Sequence, residues 1–100
     1  MDSAVDIGKL TIEDFEPRVN ETFRLQHADG ELPLKLHEVQ RLAHARRAGG
    51  GFSLLFVSAP GAFFTQSVYP LVHDEMGTIE MFLVPLGPGE GGNLYQAIFA

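Results

Sequence analysis

The chain is 100 residues long, the size of one domain, and its 45% hydrophobic against 20% charged residues supply enough apolar surface for a core. That balance excludes global disorder. The absence of Cys excludes a disulfide scaffold, a thiolate metal site and a Cys nucleophile. The net charge of −6 is uneven: residues 1–31 sum to −5, residues 32–51 to +3, and residues 52–100 hold four acids with no Lys or Arg.

A nucleic-acid partner needs a broad cationic footprint. Here Arg41, Arg46 and Arg47 form only a short basic stretch, read as a solvated loop that could meet an acidic surface on another copy, so no nucleic-acid partner is expected. The opening "MDSAVDIGKL" lacks a basic segment leading into an apolar run, and no run approaches the ~18 apolar residues of a membrane helix. The expected location is the cytoplasm, with no membrane partner.

Residues 1–10 are expected to be a flexible lead into a single β domain over 11–100. "TIEDFEPRVN" predicts a short helix with Thr11 as cap, Asp14 as the capping-box acid, and Phe15 as the docking side chain. Pro17 limits its length. "ETFRLQHADGELPLKLHEV" switches to period two: Phe23 and Leu25, then a turn at "ADGE", then Leu32, Leu34 and Leu36. This predicts a hairpin with one buried face. Beyond it, Leu36, Val39, Leu42, Ala43 and Arg46 also fit a helical spacing. Residues 36–48 therefore read either as a strand to about Arg41 followed by a loop, or as a helix.

"GFSLLFVSAPG" predicts a strand with Phe52, Leu54 and Phe56 on one face and Leu55 and Val57 on the other. "FFTQSVYPLVH", "TIEMFLVPLG" and "NLYQAIFA" follow, separated by Gly and Pro breaks. Short, regularly spaced strands of this kind predict an all-β fold: a small six-stranded, mostly antiparallel barrel-like sheet with one short N-terminal helix.

Candidate chemistry is thin. "HDEMG" reads as a hairpin turn with Gly77 at a positive φ, so His73, Asp74 and Glu75 are expected to fan into water rather than form an acid–base cluster. His27, His37, His44 and His73 show no metal-ligand spacing, and no metal or other cofactor is expected. Ser53, Ser58 and Ser67 lie in no nucleophile elbow, and "GPGEGG" over 87–92 resembles a phosphate loop only in composition. No catalytic residue is assigned.

The stronger signal is apolar surface in excess. With Leu54, Ile79, Met81, Leu83, Leu94 and Ile98 filling the interior, Leu55, Val57, Phe82, Val84, Tyr95 and Phe99 are left for the outer face. Six strands enclose too narrow a space for a ligand. That outer face must be covered by the helix, by loops or by another chain. Phe63 and Phe64 either fold back onto the barrel end or anchor an interface. The expectation is a non-catalytic module, a homo-oligomer or part of a protein assembly. The alternative is a small-molecule-binding or catalytic barrel with a rim site at Gln66, Tyr69 and His73.

The segments "FSLLF", "TQSVYPLVHDEMGTIEMFLVP" and "YQAIF", with "LTIEDFEPRVNETFRL" upstream, resemble an uncharacterised family of bacterial proteins of about this length, classed as a domain of unknown function. Phe52, Leu54, Phe56, Gln66, Tyr69, His73, Gly77 and the run Phe82 to Pro85 carry the likeness. Met76 stands where the family has Leu, and "VHD" where it has "EHP", both at the turn tip. The resemblance implies a fold and no activity, and suggests partners in phage-tail-like assemblies. Gln66, Tyr69 and His73 within it read either as strand-end residues that satisfy backbone groups or as a shared recognition surface.

Overall fold

In the computed structural model, residues 7–28, 30–43, 50–60, 64–89 and 91–99 are described. A 3-10 turn at Ile7–Lys9 precedes helix α1 (Ile12–Phe15), which runs on as a 3-10 turn through Glu16–Arg18. The Thr11 N–H donates to the Asp14 carboxylate at 2.8 Å, one half of the predicted capping box. Pro17 ends the α-helical part and leaves only the tighter turn. Leu10 is buried, so the folded unit reaches back into the segment expected to be a flexible lead.

Six strands follow: β1 (Thr22–His27), β2 (Gly30–Leu42), β3 (Gly51–Val57), β4 (Ser67–His73), β5 (Gly77–Gly89) and β6 (Gly92–Phe99). They close into a barrel in the order β1-β2-β3-β6-β5-β4, and every pair is antiparallel. Arg24–Val72 and Leu25–Leu71 close the ring between β1 and β4, the shortest pairing in the barrel. The fold is the all-β barrel that the strand spacing predicts.

Residues 36–42 belong to β2, and the reason for their ambiguous spacing is a β-bulge. Leu36 pairs with Phe56 but Glu38 with Leu55, leaving His37 as the extra residue. A bulge shifts the period by one, so Leu36 and Val39 share a face although they lie three apart. Without it, Glu38 would be aimed at the core. The rest of the ambiguous stretch, 44–48, lies outside the described residues. A second bulge falls in β5, where Pro85 pairs with Tyr95 and Gly87 with Leu94, with Leu86 as the extra residue.

The interior is solid side chain. Phe23, Leu25, Leu34, Leu36, Phe52, Leu54, Phe56, Leu71 and Ile79 are fully buried, with Met81 and Leu83 nearly so. Each end has its own closure. At one end α1 drives Phe15 against Phe23, Phe52 and Phe99, with ring centroids 5.6–6.3 Å apart. At the other, β3 and β4 stand opposite one another in the ring, and Phe64, just before β4, packs at the mouth between them. Phe64 is half-buried there. It meets His27 edge-on at 4.6 Å, and its N–H donates to the Tyr95 hydroxyl at 3.0 Å.

One strand faces the opposite way from the sequence expectation. Tyr95 and Phe99 point inward, while Leu94 is half-buried and Ile98 exposed on the outside. Cross-strand partners share a face, and Tyr95 lies opposite Phe56 and Phe99 opposite Phe52, both core residues. Phe99 stacks on Phe52 at 4.7 Å with 11° between the ring planes, and the Tyr95 hydroxyl finds its partner in the Phe64 backbone. A buried aromatic with a satisfied hydroxyl and a stacked ring outweighs two aliphatics at the same positions.

Candidate functional site

The residues of the rim-site alternative do not meet. Tyr69 and His73 share a face of β4, but four residues of strand separate them by roughly 13 Å. Tyr69 lies near the mouth where Phe64 packs, and its hydroxyl donates to the Thr65 carbonyl at 2.8 Å. Gln66 is exposed at that same mouth. His73 lies at the other end, beside the helical plug. No common pocket can engage all three.

Gly77 does adopt a positive φ of 86°, and residues 74–76 form the turn. His73, however, does not fan into water. It is the last residue of β4, 5% exposed, with its ring 4.6 Å from that of Phe23. Its Nδ1 accepts from the N–H groups of Glu75 and Met76 at 3.1 and 3.2 Å. A nitrogen that accepts two N–H groups carries no proton, so the ring proton sits on Nε2 and is donated to Glu21 Oε1 at 2.7 Å. Both nitrogens are committed, which makes the imidazole a staple between the β4–β5 turn and the residue just before β1. A general base needs a free lone pair aimed at substrate, and this ring offers none.

An open cleft of about 460 Å³ surrounds this staple, lined by Asn20, Glu21, Thr22, Arg24, His73, Asp74 and Glu75. Its charges are spent on one another: Arg18 bonds Glu75 at 2.5 Å and Arg24 bonds Asp74 at 3.0 Å. Arg41, the described member of the basic stretch, pairs with Glu13 at 3.4 Å; Arg46 and Arg47 lie outside the described residues. The Glu13 carboxyl is held below its ordinary pKa, first by a backbone N–H and then by the Arg41 guanidinium. Among the described residues, no group of three or more His, Asp, Glu or Cys could hold a metal ion.

The outer surface presents a different picture. Strands β1 and β2 carry Arg24, Glu31, Lys35, Glu38 and Arg41, whereas β3, β4, β5 and β6 together carry one charged residue, Glu80. On that neutral half, Val68 is 55%, Phe82 50%, Leu86 50% and Ile98 57% exposed. Val68 is the direct cross-strand partner of Phe82. Ile98 lies on the other side of Phe82, one step beyond the Leu83–Ala97 pair. The three form a row across three strands, with Leu55, Val57, Val84 and Leu94 half-buried around it.

The expected interface set is thus partly redrawn. Leu55, Val57, Phe82 and Val84 do face outward. Tyr95 and Phe99 are core residues, and Phe64 closes the barrel mouth; Phe63 lies outside the described residues. Val68, Leu86 and Ile98 were missed, although the alternation along β4 and β5 signals the first two. Glu21, the partner of His73, has no local signal, because 52 positions separate the two.

The fold and surface define a closed six-stranded antiparallel barrel filled by buried side chains, with Phe15 at one end, Phe64 at the other, and a flank whose strands carry one charge, Glu80. Over residues 10–99 the chain matches the domain of unknown function DUF6916, and it belongs to that family. Neither the curated proteins nor the solved structures contain a match. No helix among the described residues is long and apolar enough to cross a membrane.

Proposed function

We propose that the protein is a non-catalytic interaction module that works through the sparsely charged flank formed by β3, β4, β5 and β6. The observation that carries this reading is the row Val68–Phe82–Ile98, with Leu86 nearby: four large apolar side chains, each at least half exposed, on strands with one charge among them. Apolar patches of this kind on soluble domains mark contact surfaces. Buried side chains filling the barrel and a His73 with both nitrogens engaged favour this reading over a ligand-binding or catalytic barrel.

The reading is tested by placing a photo-crosslinking amino acid at position 82 and, as control, at the exposed position 22 on the charged side. In the living cell, position 82 should yield discrete protein adducts, either of the chain with itself or with another protein, and position 22 should not. Equal yields from the two positions, or none from either, overturn the reading.

A further inference from the structure

We infer that His73 makes the β4–β5 turn an acid-operated latch: a proton on the ring breaks its two contacts with the turn and resets residues 74–76, while the ring stays bonded to Glu21. The inference stands on the geometry of the charged end and is independent of the flank reading. Nδ1 accepts from the N–H groups of Glu75 and Met76, two and three residues further on. Side-chain oxygens of Asp, Asn or Ser ordinarily play this part in turns. An amide carbonyl accepts at any pH, whereas an imidazole nitrogen that gains a proton becomes a donor. Histidine is the side chain whose ordinary change of charge falls between about pH 5 and pH 8.

Protonation acts unequally on the two halves of the staple. Nε2 carries its proton in both forms, so its bond to Glu21 Oε1 at 2.7 Å persists and gains an opposite charge. Nδ1 turns from acceptor to donor, aimed at two N–H groups that it cannot bond. The ring is 5% exposed, and three donors facing one another in so dry a place are costly. Phe23 and Glu21 hold the ring from the other side. Asp74 and Glu75 are exposed, so the turn is the element that yields. The new N–H matches a turn carboxylate rather than a turn N–H, which requires residues 74–76 to change conformation.

The surrounding charges allow this. After α1, Glu21 meets the ring directly, with Arg18 3.7 Å from Glu21 and reaching across to Glu75. On β1, Arg24 reaches Asp74. On β2, Lys35 is exposed opposite Thr22, on β5, Glu80 lies opposite Pro70 further along the hairpin, and on α1, Asp14 is engaged with Thr11. Both ion pairs to the turn end on exposed carboxylates, so they hold it weakly. Backbone pairing adds little, because β1 and β4 join at only two register positions. Asp74 and Glu75 line the cleft and Met76 packs against the core. A reset turn therefore reshapes the cleft and bares Met76.

The test is NMR of the isotopically labelled full chain, with the histidine rings and backbone amides followed together from about pH 8 to about pH 5. At the alkaline end the His73 ring should show its proton on Nε2. As the ring gains a second proton, the amide signals of Glu75 and Met76 should shift along the same curve. The Met76 methyl should move towards its unfolded-chain position, while amides of β6 stay fixed. His73→Asn keeps a carbonyl acceptor at the turn and should abolish these shifts; should that variant not fold, the wild-type titration decides. A proton on Nδ1 at the alkaline end, a ring that protonates while both amides stay still, or a ring that stays neutral to about pH 5 overturns the inference. So do amide shifts that persist in folded His73→Asn, or collapse of the whole spectrum as the ring protonates.

Discussion

The two sides of this barrel are built from the same kind of strand and treat water differently. On β1 and β2 the outward residues are Arg24, Glu31, Lys35 and Glu38, and Arg24 is tied to Asp74 of the β4–β5 turn. On β4, β5 and β6 the corresponding positions hold Val68, Phe82, Leu86 and Ile98. Both sides share one core within one closed ring, so stability of the single chain does not require the second side to be apolar. The proposed interaction reading gives that side to contact with a partner. On the proposed reading, stability belongs to the interior and the charged end, and association to the flank.

Substitutions can break that division. The largest effect is expected where a phenylalanine plugs the barrel. Phe15→Ala removes the ring packed on Phe23, Phe52 and Phe99 and should cost about 3–5 kcal/mol in denaturant unfolding. His73→Ala comes next. It removes one partner of the Glu21 carboxylate, which keeps Arg18 at 3.7 Å, and the acceptor of two backbone N–H groups of the turn, an expected loss of about 1–2 kcal/mol. A loss below ~0.5 kcal/mol would show that the staple is dispensable.

Phe82→Ser, on the flank, should change single-chain stability by less than ~1 kcal/mol, against the several kcal/mol expected for Phe15. If it destabilises the single chain as much as Phe15→Ala, the ring is structural and the division fails. Arg24→Ala on the charged side removes a partly exposed ion pair, and should cost no more than ~1 kcal/mol, less still in high salt. The smallest effect is at Glu13. Because its folded pKa is depressed, its contribution is present above the ordinary carboxylate range and lost as pH falls through the folded value. The stability difference between wild type and Glu13→Gln should shrink towards zero in acid, and a difference that grows there would contradict the Arg41 pairing.

Much of this fold can be read from period and punctuation. Phe23, Leu25, Leu34 and Leu36 alternate around a turn, Gly77 stands where a positive φ is needed, and Thr11 with Asp14 marks the helix start; each element forms where those signals fall. What was illegible has specific causes. The bulge at His37 turns a strand's period of two into the three-residue step of a helix, and no residue type announces it. In "NLYQAIF" both faces are apolar, so alternation cannot choose between Leu94 and Ile98 on one side and Tyr95 and Phe99 on the other. The choice lies in β3 and in the Phe64 backbone, both distant in sequence. The His73–Glu21 staple is hidden for the same reason.

The most direct measurement is sedimentation of the unmodified chain over a wide concentration range beside Phe82→Ser. The account predicts that association, where wild type shows any beyond the single-chain mass of 11.0 kDa, is lost in Phe82→Ser, and that discrete in-cell adducts from position 82 are lost when Val68 and Ile98 beside it are changed to Ser. Association or adducts that survive these changes undiminished contradict it.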